Sequence, residues 1–403
     1  MNMNDSLPAA YFGKKGALFA LALKTSLLTI VTLGIYRFWA KTRIRKYVWS
    51  SITVGEDALE YTGTGLEKFL GFLVAVVILA IYLGFVQLGL FFLGLHFIAE
   101  PQNQREALQQ IAVFYISLFA VAPLIVFARY RARRYILART RFRGIRFGMD
   151  KAAWGYVWRA IVHSLVTLLT LGLLLPRQTF NLEKYLTDHS HFGDQSFVQG
   201  GKWTALYPAV KHILFGAGLV LLSVVVSIAA NALAGPGDRF SAGVIAAIVA
   251  AIGGYCWIIF GYVYYSVHSF RYLTAHKLLA GTVGFVALPR TGKVIGIYVT
   301  GLLIISVVAG FIFGVIGGVT AVFPMSISVS TAGYIVIAVL YLGALAMLGA
   351  LSLVFITQPM IAHFVDTLAV RNPAGLDSVR QRAYDKGADA GGFADALDVG
   401  AAI

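Results

Sequence analysis

The chain has 403 residues, 59% of them hydrophobic and 13% charged, with a mean hydropathy of +0.77 and a formal net charge of +15. Charged residues make up about a quarter of an ordinary soluble domain, so these figures exclude a soluble enzyme. On so apolar a chain, 33 Lys and Arg against 18 Asp and Glu point to the basic loops of a membrane protein before nucleic acid. The one cysteine, Cys256, excludes an intramolecular disulfide, and MNMNDSLPAA lacks the basic start and short apolar core of a cleaved signal peptide.

In chain order, residues 1–10 read as a tail. Gly16–Trp39 is a short apolar stretch whose uninterrupted part begins only after Lys24, and SITVGEDALEYTGTG then reads as a β-hairpin. Phe69–Ile98 and Ile111–Phe127 are apolar enough to cross a bilayer core, which takes about 20 helical residues. A basic run from Arg129 to Lys151 contains a second hairpin, TRFRGIRFG. Trp154–Leu175 is again short, because Arg159 and His163 interrupt it. Four more spans follow at Ile213–Leu233, Ala242–Tyr265, Val294–Val322 and Ala332–Ile356, and the Ala/Gly/Asp-rich tail from Asn372 reads as disordered.

Loop charge decides between eight spans and six. Eight crossings divide the basic residues 16 to 14, which gives no orientation. If the two short stretches dip and return, 28 fall on one side and only Arg105 and Arg239 on the other, with Lys24, Arg159 and Lys211 left within or beside the membrane. The second arrangement obeys the positive-inside rule and places both termini in the cytoplasm.

The chain also aligns on itself at an offset of 138 residues. SLLTIVTLG, Ser26–Gly34, falls on SLVTLLTLG, Ser164–Gly172, and Tyr47, Gly55, Gly63, Arg133 and Phe147 fall on Tyr185, Gly193, Gly201, Arg271 and Phe285. Within each copy a basic–aromatic pair precedes a glycine and then an apolar residue: Lys46-Tyr47 with Gly55 and Leu59, Arg134-Tyr135 with Gly144 and Phe147, Lys184-Tyr185 with Gly193 and Phe197, and Arg271-Tyr272 with Gly281 and Phe285. The expected fold is therefore an α-helical polytopic membrane protein. It has a tail (1–10), two tandem repeats of about 138 residues (11–148 and 149–286), a C-terminal helical hairpin (287–360) and a cytoplasmic tail (361–403). The short cytoplasmic β-hairpins share one membrane face, where they can pair into a sheet. Retained basic loops favour a parallel repeat over an inverted one.

TLGIYRFWAKTRIRKY, the hairpin closing in EYTGTG, and RRYILARTRFRGIRFG resemble the signature of the YjgN family of bacterial polytopic inner-membrane proteins, from about Tyr11 to about residue 360. In the second copy LLLPRQTFNLEKY departs from it, with Pro176, Arg177 and Gln178 in place of Trp-Ala-Lys. The family is one of unknown function, so the resemblance implies an inner-membrane location and an architecture, and no catalytic residue.

Ionisable groups at membrane depth are costly, which makes Lys24, Arg159, His163 and Lys211 the first site candidates. The plainer reading is that they lie near the interface and snorkel. The sharper one is a polar vestibule where the two dips meet, with Lys24 and Arg159 facing an anionic solute. The run containing Arg133, with Arg271 at the equivalent position of the second copy, points to anionic lipid headgroups. His189 and His191 in DHSHFGD share a strand face but lack further ligands, so a solvated loop is expected there in place of a metal site. GTG at Gly63–Gly65 lacks the Lys-Ser/Thr of a P-loop. Gly310, Gly314 and Gly318 suit close helix packing, within the monomer or in a homo-oligomer. No cofactor, metal, nucleic-acid partner or enzymatic activity is expected. The functional expectation is a transporter of a small or amphipathic solute, and the alternative is a non-transporting scaffold or lipid-interacting protein that docks a partner through its hairpins.

Overall fold

The structure, a computed structural model, describes residues 6–95, 101–233, 242–322 and 331–382. Arg239, residues 1–5 and the tail beyond Arg382 lie outside it.

Ten short strands form one closed antiparallel barrel: β1 (Ser6–Tyr11), β2 (Ile52–Val54), β3 (Asp57–Tyr61), β4 (Thr140–Phe142), β5 (Ile145–Met149), β6 (Ser190–Phe192), β7 (Gln195–Gln199), β8 (Lys277–Leu279), β9 (Val283–Ala287) and β10 (Leu368–Arg371). The tight turns have a direct cause. Arg143 and Gly144, between Phe142 and its partner Ile145, both have positive φ (50° and 75°), the two-residue geometry whose twist matches paired strands. β1 closes the ring. Its first half pairs with β10 (Leu7 with Val370) and its second with β2 (Ala10 with Thr53), which leaves no free sheet edge.

Side chains fill the barrel. Phe142, Phe192, Leu279, Val283 and Val370 form its buried core, with Leu59, Phe147, Phe197 and Phe285 packed against them. The Phe147 and Phe192 ring centroids are 4.5 Å apart. Leu376 and Val379, in the segment after β10, close this core at the end where the strand hairpins turn. There Arg143 bridges Asp57 and Asp377, and the Arg380 amide donates to Asp194 at 3.0 Å.

A helical hairpin connects each strand hairpin to the next. Two hairpins are short: α1 (Lys15–Val31) with α2 (Arg37–Ser50), and α5 (Ala153–Leu169) with α6 (Leu175–Asp188). Three are long: α3 (Gly65–Phe92) with α4 (Gln104–Ala138), α7 (Tyr207–Leu233) with α8 (Ala242–Ala275), and α9 (Thr291–Val322) with α10 (Thr331–Asp366), the last with a π-helical turn at Leu353–Thr357. The six long helices are the ones long and apolar enough to cross a membrane. α1 and α2 are 17 and 14 residues long, about 25 and 21 Å, and both return to the barrel, so this hairpin cannot cross a 30 Å core twice. Gly16–Trp39 is accordingly bent at its tip, where Leu33 and Gly34 have φ of 49° and 92°. Leu171 and Gly172 repeat that tip at 48° and 85°. Apolar tip residues stand out, Leu33 at 94% exposure and Leu171 at 82%.

One device closes every hairpin. The tyrosine of each basic–aromatic pair sits near the end of the second helix and bonds the start of the first. The Lys14 amide donates to the Tyr47 hydroxyl (2.7 Å), Tyr135 donates to Glu67 (2.8 Å), Tyr185 donates to the Ala152 carbonyl (2.9 Å), and the Lys202 amide donates to Tyr272 (2.7 Å). In the fifth hairpin His363 takes this place, accepting from the Arg290 amide at 2.9 Å.

Several expectations need correction. Residues 6–10 are not tail but most of the strand that closes the barrel. The C-terminal hairpin runs to Asp366, and 368–382 form a strand and a cap where a disordered tail was expected. The two dips do not meet: α1 packs on α10, α5 packs on α4, and longer hairpins separate them around the ring. No vestibule forms between them. Gly310, Gly314 and Gly318 face open space, whereas Gly216, Gly254 and Gly261 pack closely between α7 and α8, and Gly301 of α9 packs on Phe355 and Ile356 of α10.

Candidate functional site

α4 and α8 have 35 and 34 residues, well beyond the roughly 20 that a crossing takes. Their surplus stands above the barrel and, with α6, bounds a cavity of about 770 Å³. Arg129 and Arg133 enter from α4, Gln178, Thr179 and Glu183 from α6, Tyr262, Tyr265, Ser266 and Ser269 from α8, and Lys277 from β8. The two arginines belong to residues 11–148 and all the others to 149–286.

Glu183 is the centre of charge. Its carboxylate lies 3.0 Å from Lys277 Nζ and 3.5 Å from Arg133 Nη1. Burial pushes this carboxyl up, but the two cations more than offset it and hold it below the usual carboxylate range. Arg129 is exposed at the rim and has no acidic partner among the described residues. With three cations to one carboxylate and hydroxyls on the α8 wall, the cavity suits a small anion carrying polar groups. Tyr265 donates to Thr179 at 2.8 Å and ties α8 to α6.

On its opposite side α6 shares a groove with α5, where Arg159 and His163 face Arg177, Asn181 and Lys184. The sequence candidates thus divide. Arg133 lies in the cavity, and Arg159 and His163 lie together in the groove. Lys24 on α1, Lys211 on α7 and Arg271 on α8 are exposed and line neither space. Much of the Arg129–Lys151 run is engaged within the protein: Arg134 donates to the Met149 carbonyl, Arg139 pairs with Glu67, and Arg143 with Asp57 and Asp377. His191 is buried in the barrel wall at 5% exposure, not in a solvated loop. His189 lies against Tyr185 with the ring centroids 4.0 Å apart, and no group of three metal-binding side chains occurs among the described residues.

Glu183 was missed because its partners stand 50 and 94 positions away in the chain, so no spacing announces them. A signal was nevertheless present, since the equivalent position of the first copy, 138 residues earlier, is Arg45. That inverted charge sits in the segment where the second copy departs from the first.

Over 170 residues the chain is 25% identical to the inner membrane protein YjgN of Salmonella typhimurium, a match that covers 41% of this chain and 38% of that relative. No solved structure matches. The sequence model of the bacterial proteins of unknown function DUF898 spans residues 6–396, nearly all of the barrel and its hairpins, and the chain belongs to that family.

Proposed function

We propose that this chain is a multi-pass inner-membrane protein that moves a small anionic or amphipathic solute, received in the cavity between α4, α6 and α8. The observation that carries this reading is the set of Arg129, Arg133 and Lys277 around the single carboxylate of Glu183, where three separate hairpins converge on the barrel. A solute seated there contacts three hairpins, two of which also meet through the Tyr265–Thr179 bond and the apolar cluster of Phe180, Val210 and Leu273, so binding is coupled to how they pack. No catalysed reaction is part of this reading. Its orientation follows the basic residues: barrel and both termini in the cytoplasm. Duplication of 11–148 as 149–286 is supported by the two matched tips and by the matched Tyr47 and Tyr185 clasps. A homo-oligomer joined through the open Gly310, Gly314 and Gly318 face belongs to the same reading.

A second reading, a non-transporting scaffold that docks a partner through its hairpin face, is favoured by the filled and capped barrel, which offers no pore. Proteoliposomes loaded in parallel with radiolabelled inorganic phosphate, succinate and glycerol 3-phosphate separate the two. Transport predicts release of at least one probe above protein-free vesicles. That release should fall about tenfold or more in R129Q/R133Q, because charge-assisted contacts of about 1.5–3 kcal/mol are removed, and stay unchanged in K24Q. Release equal to protein-free vesicles for all three probes favours the scaffold.

A further inference from the structure

The groove between α5 and α6 is a space of about 430 Å³, separated from the cavity by the body of α6. Arg159 and His163 line it from α5, and Arg177, Asn181, Lys184 and Asp188 from α6. The α6 residues recur at intervals of four, three and four, one stripe of a helix, which at 1.5 Å per residue runs about 16 Å from the hairpin tip to the barrel. Lys184 is neutralised by Asp188 at 2.9 Å. The uncompensated charge therefore belongs to Arg159 and Arg177, neither of which has an acidic partner among the described residues. The Arg159 guanidinium lies over the Tyr185 ring at 4.6 Å and donates one nitrogen to the Gly155 carbonyl, which holds it in place and leaves its other donors free for a ligand.

The surroundings of this polar stripe are apolar. Leu168, Leu169 and Leu171 stand exposed at the tip, and Trp154 and Trp158 stand exposed on α5. Indole rings favour the headgroup depth of a bilayer, and an apolar tip too short to cross favours the hydrocarbon beneath it. A molecule that satisfies both surfaces is an anion with hydrocarbon chains. The first short hairpin has the same backbone but not the chemistry, because Leu21, Thr25 and Trp39 occupy the positions of Arg159, His163 and Arg177.

We propose that the α5–α6 groove binds the phosphodiester headgroup of an anionic phospholipid, with Arg159 and Arg177 on the phosphate oxygens and the acyl chains along the exposed leucines of the tip. The ligand chemistry is a phosphate, which a lipid or a free anion can supply. The site does not depend on solute movement through the neighbouring cavity.

The test is the ratio of apparent affinities for phosphatidylglycerol and phosphatidylcholine, read by native mass spectrometry on the full detergent-solubilised chain. Each arginine near a headgroup surface is worth about 1 kcal/mol, so R159Q/R177Q should lower the wild-type preference about thirtyfold and R177Q alone about fivefold. R177Q alters an exposed side chain and remains interpretable if the double variant does not fold. R159K/R177K should retain most of the preference, and K24Q/K211Q, which removes equal charge outside the groove, should retain all of it. An unchanged ratio in R177Q overturns the assignment, as does an equal fall in K24Q/K211Q. Inorganic phosphate that displaces both lipids alike from a wild type with no preference between them also overturns it, in favour of a free-anion site.

Discussion

The barrel and the membrane hairpins are built on opposite plans. In the barrel, strands of three to six residues surround a packed apolar core in which Phe142, Phe192, Leu279 and Val283 are all 5% exposed or less. In the six long helices only 6% to 17% of the most apolar stretch is buried within the chain. Close helix packing occurs at single glycines, Gly216, Gly254 and Gly261 between α7 and α8 and Gly301 of α9 against Phe355 and Ile356 of α10. The difference shows where rigidity is placed. A closed barrel fixes where each hairpin starts and ends, five polar clasps fix the two helices of each hairpin at their base, and beyond that base most of the apolar surface is left uncovered by the chain. The cavity lies at that base, where Tyr265 and Leu273 of its wall belong to an apolar cluster with Phe180, Leu206 and Val210, so a change in its shape must move this packing as well.

The largest effect that tests this contrast is a cavity in the barrel. Phe192→Ala removes a 2% exposed ring packed on Phe142 and Phe147, and should cost about 3–5 kcal/mol. Phe85→Ala on α3 removes an equally large ring that is 69% exposed, and should change stability by roughly 0.5 kcal/mol or less. Chemical unfolding in one detergent measures both, and equal losses would mean that the spans carry as much structure as the barrel. A smaller effect is expected at the clasps. Tyr185→Phe keeps the ring and deletes the donor to the Ala152 carbonyl, a loss of about 1 kcal/mol. Spin labels at exposed Trp158 and Arg177 should report a broader α5–α6 distance distribution, while α1–α2, still clasped by Tyr47, should not change.

The same contrast explains what could be read in advance. Gly55, Gly144, Gly193 and Gly281, picked out by their spacing from a basic–aromatic pair, all lie in turns with positive φ, and Leu59, Phe147, Phe197 and Phe285 all pack on the barrel core. These features repeat, and repetition is visible in one sequence. Closure is not. SLPAAY carries a proline and two alanines, and its first half pairs with residues about 360 positions away, so nothing local marks it as a strand. The site was legible in part for a related reason. Arg159 and His163 stand out as ionisable groups in an apolar stretch, whereas Glu183 on a helix with both polar and apolar faces looks ordinary until α4 and β8 bring Arg133 and Lys277 to it.

The smallest expected effect concerns the cap that closes the barrel, and it depends on pH. The Arg380 amide, donating to Asp194, holds that carboxyl below the usual carboxylate range, and nearby Arg382 acts in the same direction. For a depressed acid the stabilisation is fully present above the unfolded value, about 3.9 for Asp, and is lost as pH falls through the lower native value. The cap should therefore stay seated from neutral pH down to about 4 and loosen only below it. Ser378→Cys on a Cys256→Ser background, carrying an environment-sensitive dye, reports the seating of this segment. In the native background its signal should titrate below the ordinary Asp range, and with Asp194→Asn that low-pH step should disappear. A step that survives the substitution would assign the cap's pH response to groups other than Asp194 and would leave Leu376 and Val379, packed on the barrel core, as what holds the cap in place at low pH.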